Sequence, residues 1–121
     1  MRGFGELEAV IMDRMWAGAD TATVRDMLTG LQQDRTIAYT TVMTVMDNLQ
    51  RKGWLVRERD GKAYRYRPTA SREEYTARLM RDALDDSTDQ EAVFTRFVEQ
   101  MSEAEARSLS AVVRRLSRRP R

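Results

Sequence analysis

TIAYTTVMTVMDNLQRKG, residues 36–53, pulls in two directions. Seven of its first ten residues are β-branched (Thr36, Ile37, Thr40, Thr41, Val42, Thr44 and Val45), which suits a strand. Its apolar residues Val42, Val45, Met46 and Leu49 fall at i, i+3, i+4 and i+7, the spacing of one helix face. The period predicts a helix from about Ala38 to Lys52, closed by Gly53 just past the helix end, where glycine is favoured. On a helical wheel Thr40, Met43, Thr44, Asp47 and Arg51 lie opposite the apolar face, with Asn48 at the edge and Thr41 turned toward the buried side.

A solvated helix face usually carries Glu, Lys, Gln and Ala, which form helices better than threonine does. The outward face is therefore either an unusual solvated surface or a surface for DNA. In the second reading Thr methyls meet thymine methyls, and Thr hydroxyls and Asn48 bond base edges or phosphates. Arg51 pairs with phosphate or guanine, and Met43 adds apolar contact. Asp47 repels phosphate, but it can accept from a cytosine amine or orient Arg51 at i+4.

Upstream, Leu7, Val10, Ile11 and Met15 predict a helix from about Gly5 to Ala17, stopped by Gly18. Val24, Leu28 and Leu31 predict a second from about Thr21 to Gln33, with Asp20 or Thr21 as N-cap. Downstream, WLVRERDGKAYRYRP (54–68) reads as two strands around an Asp60-Gly61 turn. That turn would set Arg59 opposite Lys62, Arg57 opposite Tyr64 and Leu55 opposite Tyr66, all six on one sheet face. Leu55 and Tyr66 would pack on the helices while the cations stay in solvent, and a short strand at Thr36–Ile37 could join the hairpin.

Three capping boxes then open three helices: Ser71 with Glu74, Thr88 with Glu91, and Ser102 with Glu105. The first carries Tyr75, Leu79, Ala83 and Leu84. The second carries Val93, Phe94, Phe97, Val98 and Met101, and the third Leu109, Val112, Val113 and Leu116. The fold class is thus mainly α with a small β-hairpin: a winged helix-turn-helix domain (1–70) followed by a helical region (71–121) with a basic, frayed tail. In the winged plan the third helix enters the major groove and the hairpin touches the phosphate backbone.

Charge follows the same division. The chain of 121 residues has a net charge of only +2, yet residues 48–68 hold seven cations and two acids, and the tail from Arg114 holds five arginines and no acid. Arg51, Lys52, Arg57, Arg59, Lys62 and Arg65 are the phosphate-facing candidates; the bland alternative is a soluble edge hairpin guarded by charge. The chain has no cysteine and no histidine, which excludes disulfides, thiolate or imidazole metal sites and Cys/His nucleophiles. No cofactor is expected. Asp82, Asp85, Asp86 and Asp89 could suggest a metal-dependent nuclease, but a linker between helices explains them better, so the chain is not expected to be an enzyme. No apolar run approaches a membrane span and the N-terminus lacks a signal peptide's apolar core, so a cytoplasmic protein without membrane insertion is expected.

The run AYTTVMTVMDNLQRKGWLVRERDGKAYRYRP, preceded by GELEAVIMDRMW, resembles the penicillinase-repressor family of winged-helix transcriptional repressors. The TTVMTVMDNLQRKG and GKAYRYRP blocks are specific to that family rather than generic to winged helices. The resemblance implies a homodimeric repressor of palindromic operator DNA, with recognition contacts carried onto Thr40, Thr41, Met43 and Thr44. The copper-responsive branch senses metal through clustered cysteines, which this chain lacks, so the β-lactam branch fits better. That branch implies control of β-lactamase or related stress genes and of the protein's own operon. It also implies relief by proteolysis through a membrane sensor-protease pathway, at a pair aligned with Arg96–Phe97, where arginine replaces the family's asparagine.

Tyr75, Leu79, Phe94, Phe97, Val98, Leu109, Val112, Val113 and Leu116 have two readings: a core shared with the winged domain, or a dimer interface, which the resemblance favours. Other functions that fit the sequence are a winged-helix protein-interaction module and a repressor answering to another signal.

Overall fold

The computed structural model describes residues 3–118. The basic tail expected from Arg114 runs on into residues 119–121, which lie outside the described residues. The elements run α1 (Glu6–Ala17), α2 (Val24–Leu31), α3 (Tyr39–Arg51), β1 (Leu55–Asp60), β2 (Ala63–Pro68), α4 (Arg72–Asp85), α5 (Gln90–Glu99) and α6 (Glu103–Ser117). Two compact units result, Met1–Met80 and Arg81–Arg121.

The first unit is a three-helix bundle closed by the hairpin. Ile11, Met12 and Met15 of α1, Val24, Met27, Leu28 and Leu31 of α2, and Val42, Met46 and Leu49 of α3 are buried together with Leu55 and Tyr66 of the wing. Periodicity thus prevails over β-branched composition in α3, because Val42, Met46 and Leu49 join this core with no exposed surface. Gly53 ends the helix in the left-handed region, φ +87°, which only glycine adopts freely. Thr41 is exposed rather than turned inward. It lies in the first turn of α3, where Val42, the next residue, takes the buried position in the core.

α2 starts at Val24, later than the expected Thr21, and its N-cap is Thr23 rather than Asp20 or Thr21. The Thr23 hydroxyl accepts from the Asp26 N–H and the Asp26 carboxylate accepts from the Thr23 N–H, each at 3.0 Å. The preceding residues are held elsewhere: Ala22 exchanges backbone hydrogen bonds with Tyr66 at 3.0 and 2.8 Å. Ala22, and not Thr36–Ile37, is therefore the short third strand position beside the hairpin.

The hairpin pairs Leu55 with Pro68, Arg57 with Tyr66, Arg59 with Tyr64 and Asp60 with Ala63. This corrects the expected register. The turn residues are Gly61 and Lys62, with Gly61 at φ +64° in the first place, where a two-residue turn with one left-handed residue needs it. The displacement is two residues, an even number, so Leu55, Arg57, Arg59, Tyr64 and Tyr66 still share a face. Lys62 leaves the ladder for the turn.

Tyr75, expected at a dimer interface, is engaged inside the first unit. Its ring stacks on Phe4 at 4.1 Å, with Trp54 edge-on to both, and its hydroxyl accepts from the Phe4 N–H at 3.0 Å. Arg72 donates to Asp13 at 2.6 Å, and the Trp16 indole donates to the Ala70 carbonyl at 2.9 Å. These contacts fasten the start of α4 to α1.

In the second unit, α5 starts behind Asp89, whose carboxylate accepts from the Ala92 N–H at 3.1 Å, in place of the expected Thr88 cap. Ser102 and Glu105 form the expected capping box of α6. α4, α5 and α6 contain no buried residue. Among the described residues no group of three or more acids could hold a metal ion, and no helix is long and apolar enough to cross a membrane.

Candidate nucleic-acid interface

α3 and the wing enclose an open cleft of about 470 Å³ on the outer side of the bundle. The buried stripe of α3 dictates which residues are left to face it. Met43 and Thr44, opposite Val42, Met46 and Leu49, line the cleft with Asp47 and Arg51. The wing adds Arg57, Lys62 and Tyr64, and the start of α2 adds Arg25. Four cations therefore surround one carboxylate, on a floor that includes Met43 (42% exposed), Tyr39 (41%) and Tyr64 (38%). Such a floor can pack on methyls and base edges while the cations meet phosphate.

The cations differ in how they are held. Arg57 donates to the Tyr66 hydroxyl at 3.4 Å and to Asp47 Oδ1 at 3.3 Å, and its guanidinium lies 4.3 Å from the Tyr64 ring centroid. The bond to the Tyr66 hydroxyl, with the Asp47 charge acting in the same sense, holds its pKa above the ordinary arginine value. Arg51 pairs with Asp47 across one turn of α3 and is otherwise open, its side chain 71% exposed. Arg59 stands over Tyr64 at 5.5 Å, and Arg25 over Tyr39 at 5.2 Å.

Other expected contacts are placed elsewhere. Thr40 and Thr41 are exposed on the first turn of α3, and Asn48 is half-buried; none of the three lines the cleft. Lys52 donates to Glu8 of α1 at 2.7 Å. Burial works to raise the Glu8 carboxyl, but Lys52 and the Gly5 N–H outweigh it and hold the carboxyl below its ordinary range. Arg65 lies on the opposite sheet face from Arg57, donating to Asp60 at 2.7 Å and standing 3.9 Å from Asp26.

Sequence reasoning missed Arg25, Tyr39 and Tyr64 as members of this surface. The available signal was Arg25 following core-facing Val24 at the start of α2, which turns it outward. Its approach to Tyr39 depends on how α2 crosses α3.

Comparison with known proteins agrees with this architecture. A model of the penicillinase repressor family matches residues 4–115. The chain is 41% identical over 108 residues to a protein named transcriptional regulator BlaI in two strains of Mycobacterium tuberculosis, CDC 1551 and H37Rv; the match covers 87% of this chain and 78% of each relative. The solution structure of the DNA binding domain of the repressor BlaI superposes with a TM-score of 0.54 at 21% identity. That match covers 60% of this chain and 87% of the other, and it shows the shared winged-helix fold. The chain belongs to the penicillinase repressor family, whose members are transcriptional regulators and not enzymes.

Proposed function

We propose that the protein is a homodimeric repressor that binds palindromic operator DNA through α3 and the wing. The cleft carries this reading: four cations ring a small-polar and apolar floor on a helix that buries Val42, Met46 and Leu49 on its other face. Thr40, Thr41, Met43, Thr44 and Asn48 would read base edges, and Arg25, Arg51, Arg57, Arg59 and Lys62 would meet or frame phosphates. Lys52 and Arg65 are weaker candidates because neither lines the cleft: Lys52 is turned to Glu8 of α1, and Arg65 lies on the opposite sheet face from Arg57.

Homodimerisation is supported by the second unit. Phe94, Phe97 and Val98 of α5 and Val112, Val113 and Leu116 of α6 are all exposed in the single chain, and Leu109 joins them at the rim of a groove with Val98 and Ala106. Helices without a buried residue lack a core of their own, and burial against a second copy supplies one. A two-fold dimer would hold its two α3 helices about 34–36 Å apart for half-sites one turn apart. Family membership supports control of β-lactamase or related stress genes, and relief by a sensor-protease that cuts in the dimerisation region at Arg96–Phe97. Arg96 is well exposed there, and a cut would divide the α5 face that carries Phe94 and Phe97.

The test is binding of the full chain to the duplex upstream of its own gene across a salt series. Tight binding with log K falling linearly in log salt, by about 0.9 per phosphate neutralised, is expected. Absent or salt-independent binding would overturn the reading.

A further inference from the structure

Among the described residues, Asp47 is the only acid that lines the cleft. A carboxylate there repels approaching phosphate, and it belongs to no part of the buried apolar cluster, its side chain being 28% exposed. Its geometry offers a reason for its presence. One oxygen accepts from Arg51 of α3 and the other from Arg57 of β1 at 3.3 Å. The same Arg57 nitrogen donates to the hydroxyl of Tyr66, which is only 2% exposed. The Tyr66 backbone is bonded in both directions to Ala22. A continuous path therefore runs from the outward face of α3 through Asp47 and Arg57 into the wing and the core.

Both arginines are long side chains that would otherwise sample many rotamers, and ordering them on binding opposes association. A carboxylate between them removes that freedom beforehand. It also sets the lateral position of the wing relative to α3, which decides whether phosphate and base contacts fall in register. Charge repulsion and positioning make opposite predictions. Repulsion acts on any duplex alike, whereas positioning matters only where base contacts must be met together with phosphate contacts.

We propose that Asp47 is a positioning residue for operator recognition, joining Arg51 of the helix and Arg57 of the wing into one preformed DNA-reading surface. This rests on the DNA-binding reading above.

The experiment compares wild type, Asp47→Asn, Arg57→Gln and the double variant as full chains. Each is measured on the duplex upstream of the protein's own gene and on a scrambled duplex of equal length, at several salt concentrations. Asparagine keeps the size of the side chain but cannot accept two charge-assisted bonds. Asp47→Asn is expected to weaken binding to the upstream duplex about tenfold and to leave the scrambled duplex unchanged or bound more tightly. In the Arg57→Gln background it is expected to add less than about twofold, because the path is already broken.

Equal or tighter binding of Asp47→Asn to the upstream duplex would overturn the proposal, as would an equal loss on both duplexes. Should Asp47→Asn fold poorly, Arg57→Gln alone must weaken the upstream duplex by more than the scrambled one, where only its phosphate contact is lost, and an equal loss on both would overturn the proposal. Wild type that binds neither duplex would instead overturn the DNA-binding reading itself.

Discussion

Replacing Leu49 and Thr44 by alanine, one at a time, separates the two faces of α3. Leu49 has no exposed surface and packs within the cluster formed by α1, α2, α3 and Leu55. Leu49→Ala removes three carbons, about 2.4 kcal/mol at roughly 0.8 kcal/mol per buried methylene. A residual cavity of about 30–50 Å³ adds about 1 kcal/mol at roughly 24 cal/mol per Å³. The expected loss is about 3 kcal/mol, or a fall in Tm of roughly 12–24 °C for a domain of this size. Thr44 is exposed, and alanine is the better helix former, so Thr44→Ala should leave stability within about 0.5 kcal/mol. It should still lose about 1 kcal/mol of operator binding, roughly fivefold. The assay is thermal unfolding by circular dichroism at fixed protein concentration, with DNA titrations at fixed salt. A Leu49→Ala protein that melts within about 3 °C of wild type, or a Thr44→Ala protein as destabilised as Leu49→Ala, would refute the assignment of the two faces.

A fragment ending at Met80 should remain folded, because it keeps Tyr75 on Phe4 and Trp54; one ending at Pro68 should melt lower, and both should bind operator at least about a hundredfold more weakly than the full chain as the linkage of half-sites is lost. Calorimetry and titration on the two fragments check this. Acid should destabilise the first unit. The Glu74 carboxyl is held below its ordinary range by the Ser71 N–H and hydroxyl, and that of Asp26 by the Thr23 N–H. Lowered folded-state values mean that the stabilisation is present above the unfolded pKa of about 4 and is lost as pH falls through the lower folded values. Unfolding curves taken from pH 6 down through the ordinary carboxylate range near about 4 and below it should show the loss, with Glu74→Gln flattening the slope.

Local signals made most of the fold legible. The 3.6 period of α3 is carried by Val42, Met46 and Leu49, which need only a core to join. The Ser102 and Ser71 boxes are contained within four residues each and were readable as they stand. Misreadings arose where a distant residue decides between near-equal local options. Asp20, Thr21 and Thr23 can all cap α2, and the choice falls to Thr23 because Ala22 pairs with Tyr66, 44 positions along the chain. Gly61 can occupy either place in a two-residue turn, so its presence predicts a hairpin without settling the register. Tyr75 reads as one more apolar helix residue until Phe4 and the two tryptophans are placed beside it. The same holds for the cleft. Its outward α3 residues follow from the wheel, whereas the approach of Arg57 to Asp47 and of Arg25 to Tyr39 depends on how separate elements cross.

In the proposed function the outward face of α3 and the wing meet DNA together. Amide chemical shifts of the labelled protein, followed during titration with the duplex upstream of its own gene, test it most directly. The largest changes are expected at residues 39–48, at Arg25, and at the wing tip from Asp60 to Tyr64, with the middle of α1 little altered. Changes centred on α1 or along α6, with residues 39–48 unmoved, would contradict it.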